Sequence, residues 1–157
     1  MSHRPFSELR SRMPLAAQAE GLKRAEEVIH VLQKESAGCV IASLAMATGQ
    51  TYQQVRDWFL RGDFDTYGIS YVDAHAYLGE HGYAVIHQWK HLSPRNCDRS
   101  VWPPKPFAPV HICFVMGSGT HAVVMLQDGT VFDPNREGKH LLADYAQVSG
   151  VTGVYKT

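Results

Sequence analysis

Cys39 is the residue best placed in this sequence to act as a nucleophile. It lies between a polar turn that contains Gly38 and an apolar run of helix-forming residues, 40–47, which predicts a helix that starts at or near the cysteine. The unpaired N–H groups and the positive dipole end of such a helix would face the sulfur and favour its thiolate form. Gln33, six residues upstream, is an amide that could donate a hydrogen bond to an oxyanion. This stretch alone leaves open a buried structural cysteine at a helix start.

A histidine and an aspartate that could complete such a site lie far downstream. His121 opens an apolar strand, Asp128-Gly129 is a hairpin signal, and residues 131–133 form the predicted return strand. His121 and Asp133 both lie away from the turn and could be cross-strand neighbours. A cysteine nucleophile, a histidine base and a third group that orients the histidine are the parts of a thiol acyl-transfer site.

Gln33, Cys39, His121 and Asp133-Pro134 together resemble the motifs of papain-like cysteine peptidases. The resemblance is closest to the double-glycine leader peptidase domains of bacteriocin transporters and their stand-alone relatives, and it covers roughly residues 27–157. It implies Cys39 as nucleophile, His121 as general base, Asp133 as the residue that orients the histidine, and Gln33 as oxyanion donor.

One position departs from the pattern of that family. The relatives commonly have Cys-Gly, whereas here Gly38 precedes Cys39 and Val40 follows it. We expect Val40 to narrow the site or to alter which substrate backbone lies there.

Two neighbouring residues are rivals for the roles of base and orienting group. His111 lies on the strand before His121 and is the rival base; Asn135 is the rival orienting residue, because an amide can also fix an imidazole. The other cysteines are weaker candidates for the nucleophile. Cys113 falls in mid-strand among apolar residues, and Cys97 lies in a loop without a helix start.

The elements that must position these residues divide into a helical first part and a stranded second part. Helices are predicted over about 14–27, Cys39–Gly49, Thr51–Leu60 and Ser70–His81, with an extended or strand segment over 28–33. The later elements are predicted as strands over 83–89 and 109–116, a Gly117-Ser-Gly turn, the His121 hairpin, a short helix over 141–147 and a closing edge strand over 151–155. Helices followed by an antiparallel sheet predict an α+β fold, papain-like by the resemblance, with the active-site cleft between helices and sheet.

The chain is expected to divide into an N-terminal helical arm, residues 1–26, and a papain-like peptidase domain, residues 27–157. Within the domain, the proline-rich connection over 90–108 is longer than most loops of compact domains. Such loops are often functional lids or binding loops, and a structural loop lying on the surface is the alternative.

Composition excludes several other classes of protein. The 157 residues are 45% apolar and 19% charged, which is a globular composition. Fifteen basic and fifteen acidic residues give a formal charge of zero, so neither nucleic acid nor a membrane is expected as a partner. Three cysteines without a pairing pattern and the lack of an apolar signal segment predict free thiols and a cytoplasmic location.

No metal or other cofactor is expected, although the chain has nine histidines. His87 and His91 lie four residues apart but in a predicted strand and loop, where such a spacing does not bring side chains together. The sequence contains neither Cys-x-x-Cys nor His-Glu-x-x-His.

These features together predict a thiol hydrolase that cleaves an amide bond in a peptide or protein substrate. Acyl transfer to an amine and deamidation of glutamine use the same groups and remain open. The alternative from another class is a catalytically silent domain that only binds peptides. The presence of all four residues, Gln33, Cys39, His121 and Asp133, weighs against that alternative.

Overall fold

Three α-helices precede a six-stranded antiparallel sheet in the part of the chain that the computed structural model describes, residues 28–59, 68–116 and 120–157. The helices are α1 (Cys39–Thr48), α2 (Tyr52–Phe59) and α3 (Tyr71–Glu80). The strands are β1 (Tyr83–Leu92), β2 (Val110–Met116), β3 (Thr120–Leu126), β4 (Thr130–Phe132), β5 (Lys139–Leu141) and β6 (Gln147–Lys156). This arrangement confirms the α+β prediction. The predictions of an N-terminal arm, of a helix over 14–27 and of a turn at 117–119 concern residues outside this part of the chain.

Two glycines bound α1, the helix that carries Cys39. Gly38 is the residue before its first turn, and Gly49 ends it in the left-handed conformation with φ of 72°. All residues from Val40 to Ala47 are buried, so the helix is covered on every side, as a central core helix must be. The predicted helix start at Cys39 and its end at Gly49 are confirmed.

The starts of α2 and α3 follow from local capping. Thr51 and Gln54 form a reciprocal capping box, with Gln54 N–H donating to Thr51 Oγ1 (3.1 Å) and Thr51 N–H donating to Gln54 Oε1 (2.9 Å). The Ser70 hydroxyl accepts from the backbone N–H of Asp73 at 3.3 Å. The predicted helix starts at Thr51 and Ser70 are confirmed, with both residues as caps.

The strand order in the sheet is β1-β6-β2-β3-β4-β5. The prediction of a closing edge strand over 151–155 is therefore wrong, because β6 lies inside the sheet, paired with both β1 and β2. Its residues from Val148 to Val154 are all buried. Gly153 allows the close packing, since a Cβ there would lie 2.6 Å from the Phe107 ring.

The predicted helix over 141–147 is also wrong. Lys139–Leu141 forms β5 at the sheet edge, and only Leu142–Asp144 makes a single 3₁₀ turn. The Asp144 carboxylate accepts from the backbone N–H of Leu141 at 3.0 Å, which closes the turn locally. The chain then extends from Tyr145 into β6.

Hydrophobic clusters cover both faces of the sheet. Alternate residues of β2, among them Val110 and Ile112, pack with the helices, whereas Cys113 and Val115 belong to a second cluster. The end of the long connection between β1 and β2 supplies Phe107 and Ala108 to that second cluster, both fully buried. This part of the connection is therefore structural. Among the described residues, no helix has the length and apolarity needed to cross a membrane.

Two histidines between α3 and the sheet share one hydroxyl group. His75 Nε2 lies 3.0 Å and His87 Nδ1 lies 2.5 Å from Thr152 Oγ1. Burial lowers the pKa of both histidines, and the neighbouring His75 lowers the pKa of His87 further. The native state thus holds both rings neutral at a pH where they would bind protons in the unfolded chain.

This pair predicts a loss of stability in mild acid. A histidine whose pKa is lowered on folding contributes stability that is present above its ordinary pKa of 6.5 and is lost as pH falls through the folded-state pKa. The free energy of unfolding, measured with urea at pH 7.5 and pH 5, should fall less in the His75→Gln/His87→Gln double variant than in the wild type. Equal losses in the two proteins would contradict this assignment.

Candidate active site

Cys39 is the first residue of α1 and is partly exposed. The N–H groups of a first helical turn have no partner within the helix, so they and the positive dipole end lie beside the sulfur. The Cys39 side chain lies close enough to His121 to raise the pKa of the histidine. The fold thus brings together the predicted nucleophile and the predicted base, which come from α1 and β3.

Asp133 holds the other side of the His121 ring. Its Oδ1 lies 2.6 Å from His121 Nε2, which leaves Nδ1 as the ring nitrogen not used by Asp133. The last paired residues of β3 and β4 are Val124 and Phe132, and both His121 and Asp133 lie beyond that pair. They are therefore neighbours across the open end of the hairpin, reached by their side chains, and not a directly opposed backbone pair.

The Asp133 carboxylate is 3% exposed and is surrounded by donors. Oδ1 also accepts from the Asn135 backbone N–H (2.8 Å), while Oδ2 accepts from the Tyr145 hydroxyl (2.6 Å) and from Arg136 Nε (3.4 Å). Burial raises the pKa of Asp133, but these hydrogen bonds and the charge of His121 outweigh burial and hold the pKa well below its usual range. Asp133 is therefore an anion at neutral pH.

His121 responds to that anion. Burial lowers the pKa of His121. The hydrogen bonds to Asp133 and Cys39 and the charges of both groups outweigh burial and raise the pKa to about 9. The ring is therefore an imidazolium at neutral pH. An imidazolium beside a cysteine side chain can donate a proton to a leaving group.

Gln33 lies close to this site but is engaged elsewhere. Its Nε2 donates to the backbone carbonyls of Glu35 (3.0 Å) and Ser36 (2.9 Å), and its buried Oε1 has no hydrogen-bond partner among the described residues. To serve as an oxyanion donor, the amide must release one of these carbonyls. The role assigned to Gln33 therefore stays a prediction.

His111 and Asn135, the rival base and the rival orienting residue, make other contacts. His111 is fully buried; its Nε2 accepts from the backbone N–H groups of Phe107 and Ala108, both at 2.9 Å, and its Nδ1 donates to Met125 O at 3.0 Å. Both ring nitrogens thus bind backbone, which fixes a neutral ring in a structural position. Asn135 supports the site through its backbone N–H to Asp133.

Three residues at the site were not found from the sequence. Tyr145 and Arg136 bind the Asp133 carboxylate, and His30 Nε2 lies 2.7 Å from the Asp133 backbone carbonyl while its ring stacks on Phe132. Tyr145 lies in the segment that the sequence predicts as a helix. Arg136 lies only three residues after Asp133, but no motif marks the pairing, and no local spacing connects His30 or Tyr145 to Asp133.

The other thiols differ from Cys39. All three cysteines are free. Cys113 is fully buried, and burial raises the pKa of its thiol, while Cys97 lies in the loop after β1. Within residues 28–59, 68–116 and 120–157, no three His, Cys, Asp or Glu side chains group together as ligands of a metal ion would.

Comparison with known proteins gives a likeness in structure but none in sequence. No family model and no curated protein sequence matches the chain. The fold is similar to the crystal structure of a double-glycine motif protease from an AMS/PCAT transporter in complex with the leader peptide, with a TM-score of 0.57 and 17% identity. The match covers 83% of this chain and 92% of that one. At this identity the likeness concerns the fold, and it agrees with the α+β, papain-like architecture that the motifs imply.

The raised pKa of His121 predicts an alkaline limit for reactivity at Cys39. We expect the pH profile of the Cys39 alkylation rate to show a transition at about pH 9, because the His121 imidazolium loses its proton there. In Asp133→Asn this change should move to lower pH, because the substitution removes the negative charge that raises the pKa of His121. Stopped-time alkylation read by mass spectrometry measures both profiles. An unshifted profile in the variant would contradict the coupling.

Proposed function

We propose that this protein is a cysteine peptidase in which Cys39, His121 and Asp133 form the catalytic triad. The observation that carries the proposal is the hydrogen-bonded pair of Asp133 and His121, with Cys39 beside the same ring at a helix start. These are the three parts that thiol-based acyl transfer needs: a nucleophile, a base and a group that orients the base.

The reaction would proceed in two halves. The Cys39 thiolate attacks the carbonyl carbon of a peptide bond, and His121 gives its proton to the departing amine as the C–N bond breaks. The acyl group is then bound to sulfur. Water attacks this thioester, His121 takes a proton from the water, and the carboxylic acid product leaves with Cys39 restored as thiolate. Asp133 stays ionised throughout and keeps the ring facing the sulfur.

The oxyanion of each tetrahedral intermediate would form beside the start of α1. The backbone N–H of Cys39, in the first turn of α1, would be one donor, because the dipole of α1 favours negative charge there. Gln33 would become the second donor if its amide exchanges the carbonyl of Glu35 or Ser36 for the oxyanion. These hydrogen bonds keep the amide against the turn that directly precedes Cys39.

A peptide is the substrate class that this proposal favours. The structural neighbour was crystallised with a leader peptide, and the site described above is chemically suited to an amide carbonyl. Acyl transfer to an amine and deamidation use the same first half-reaction, so the products formed distinguish them from hydrolysis.

A catalytically silent peptide-binding domain is the second candidate. The observation in its favour concerns the Gln33 amide. Its nitrogen donates to two backbone carbonyls, so both of its hydrogens are engaged and neither points to an oxyanion. A protein of this kind would bind peptides with Cys39 intact and release them unchanged.

Cleavage of a peptide library tests the proposal, with the following expected order of activities. Cys39→Ala should abolish cleavage, and His121→Ala should lower kcat/KM by roughly 10²–10⁴-fold, the usual contribution of a general acid–base. Asp133→Asn should cost less, because an amide still orients the ring. The His121→Ala/Asp133→Asn double variant should be no worse than His121→Ala, because Asp133 acts through the ring.

Two results would contradict the proposal. Full activity in His121→Ala would show that another group is the base. Peptide binding by the wild type without cleavage of any library member would favour the silent domain. Product analysis by mass spectrometry in the presence of an amine acceptor separates hydrolysis from acyl transfer.

A further inference from the structure

The turn before Cys39 is held from one side by α2. The turn is closed by the N–H of Gly38, which donates to the Glu35 carbonyl at 3.1 Å. The Glu35 carboxylate accepts from the Tyr52 hydroxyl and from Arg56 Nε. The backbone N–H of Glu35 also donates to the Tyr52 oxygen at 3.4 Å. Tyr52 is 4% exposed, so its hydroxyl is a buried contact between α2 and this turn.

The Tyr52 hydroxyl also explains why residue 38 is a glycine. Gly38 has φ of −88° and ψ of 13°, a backbone conformation that any residue can adopt. A Cβ at Gly38, however, would overlap the Tyr52 hydroxyl oxygen and lie 3.1 Å from Glu35 Oε2. The hydroxyl is therefore seated against the Cα of the residue that directly precedes the nucleophile.

The same turn anchors the amide of Gln33. The carbonyls that accept from Gln33 Nε2 belong to Glu35 and Ser36, which are both residues of the turn. A shift of this turn would thus move two groups together: the backbone N–H of Cys39 at the start of α1 and the side-chain amide of Gln33. These are the two groups assigned above to the oxyanion.

The protonation states of Tyr52 and Glu35 strengthen the hydrogen bond between them. Burial raises the pKa of Tyr52, and the hydrogen bond to Glu35 raises it further, to about 12. Burial raises the pKa of Glu35, but the hydrogen bonds from Tyr52 and Arg56 outweigh burial and lower it overall. The hydroxyl is therefore a donor and the carboxylate a charged acceptor across the neutral pH range, which makes a stronger bond than one between neutral groups.

We propose that Tyr52 is a positioning residue for the oxyanion site, acting through Glu35 and Gly38 on the turn that precedes Cys39. Tyr52 touches no reacting atom. It holds the turn so that the N–H of Cys39 and the amide of Gln33 lie where negative charge develops on the substrate oxygen. The inference rests on the proposed function, because it names a further residue of that reaction.

Tyr52→Phe tests the inference, with Tyr83→Phe as the matched control. The Tyr83 hydroxyl donates to Thr48 O at 3.3 Å, at the end of α1. Each variant therefore loses one hydroxyl, in Tyr52→Phe at the turn before α1 and in Tyr83→Phe at the end of that helix. Loss of an oxyanion donor outright costs about 10²–10³-fold in kcat; we expect about tenfold or more in Tyr52→Phe, little change in KM and none in Tyr83→Phe. The alkaline change near pH 9 should stay in place, because His121 and Asp133 are untouched.

A second pair of variants separates positioning from a general loss of stability. Gly38→Ala should lower kcat strongly in the wild type, because its methyl group displaces the Tyr52 hydroxyl. In the Tyr52→Phe background the oxygen is absent, so adding Gly38→Ala should cost several-fold less. Purely additive losses, or a fall in thermal stability with kcat unchanged, would overturn the inference.

Hydrogen exchange decides the structural part without any substrate. The Gly38 amide, bonded to Glu35 O, should exchange faster in Tyr52→Phe than in Tyr83→Phe. Equal exchange rates would overturn the inference even if the protein is a peptidase. A different outcome is faster exchange in Tyr52→Phe together with a wild type that cleaves no peptide. That outcome would refute the proposed function and, with it, the role of Tyr52 in a reaction. The contact between Tyr52 and the turn would still be established.

Discussion

The ion pair between the Asp133 carboxylate and the His121 ring is the interaction on which the site depends. A carboxylate that is 3% exposed would be strongly destabilising without compensation, because burial removes its hydration. Tyr145, Arg136 and the backbone N–H of Asn135 supply that compensation. These donors stabilise the buried anion, and its negative charge in turn stabilises the protonated form of His121.

The segment over 28–38 connects the two halves of the site. At one end, His30 and the backbone N–H of Gln33 contact the carbonyls of Asp133 and Pro134 at 2.7 and 2.8 Å. At the other end, the segment leads through the turn held by Tyr52 into α1 and Cys39. The helical part and the sheet are therefore joined by contacts to the backbone next to Asp133, close to where Cys39 and His121 meet. In the proposed peptidase, small displacements there would affect catalysis, since reacting groups must be held in alignment.

The sequence predicted features that local chemistry determines and missed those that depend on distant contacts. Helix starts at Cys39, Thr51 and Ser70 followed from caps and apolar runs, and these signals lie within a few residues of the feature itself. The strand β6 was placed at the edge because a glycine- and threonine-containing run gives no sign of being buried on both faces. Tyr145 and Tyr52 were missed because the groups that they contact are separated from them by 12 and 17 residues, and no local pattern encodes such a pairing.

The most direct test of the account is the pKa of His121, measured by ¹⁵N NMR of the imidazole in the wild type and in Cys39→Ala. The account places this pKa at about 9 in the intact site and predicts a lower value in Cys39→Ala, because the hydrogen bond and charge of the sulfur are then absent. A pKa near the ordinary histidine value of 6.5 in both proteins would contradict it, since His121 would then be neither paired with Asp133 nor coupled to Cys39.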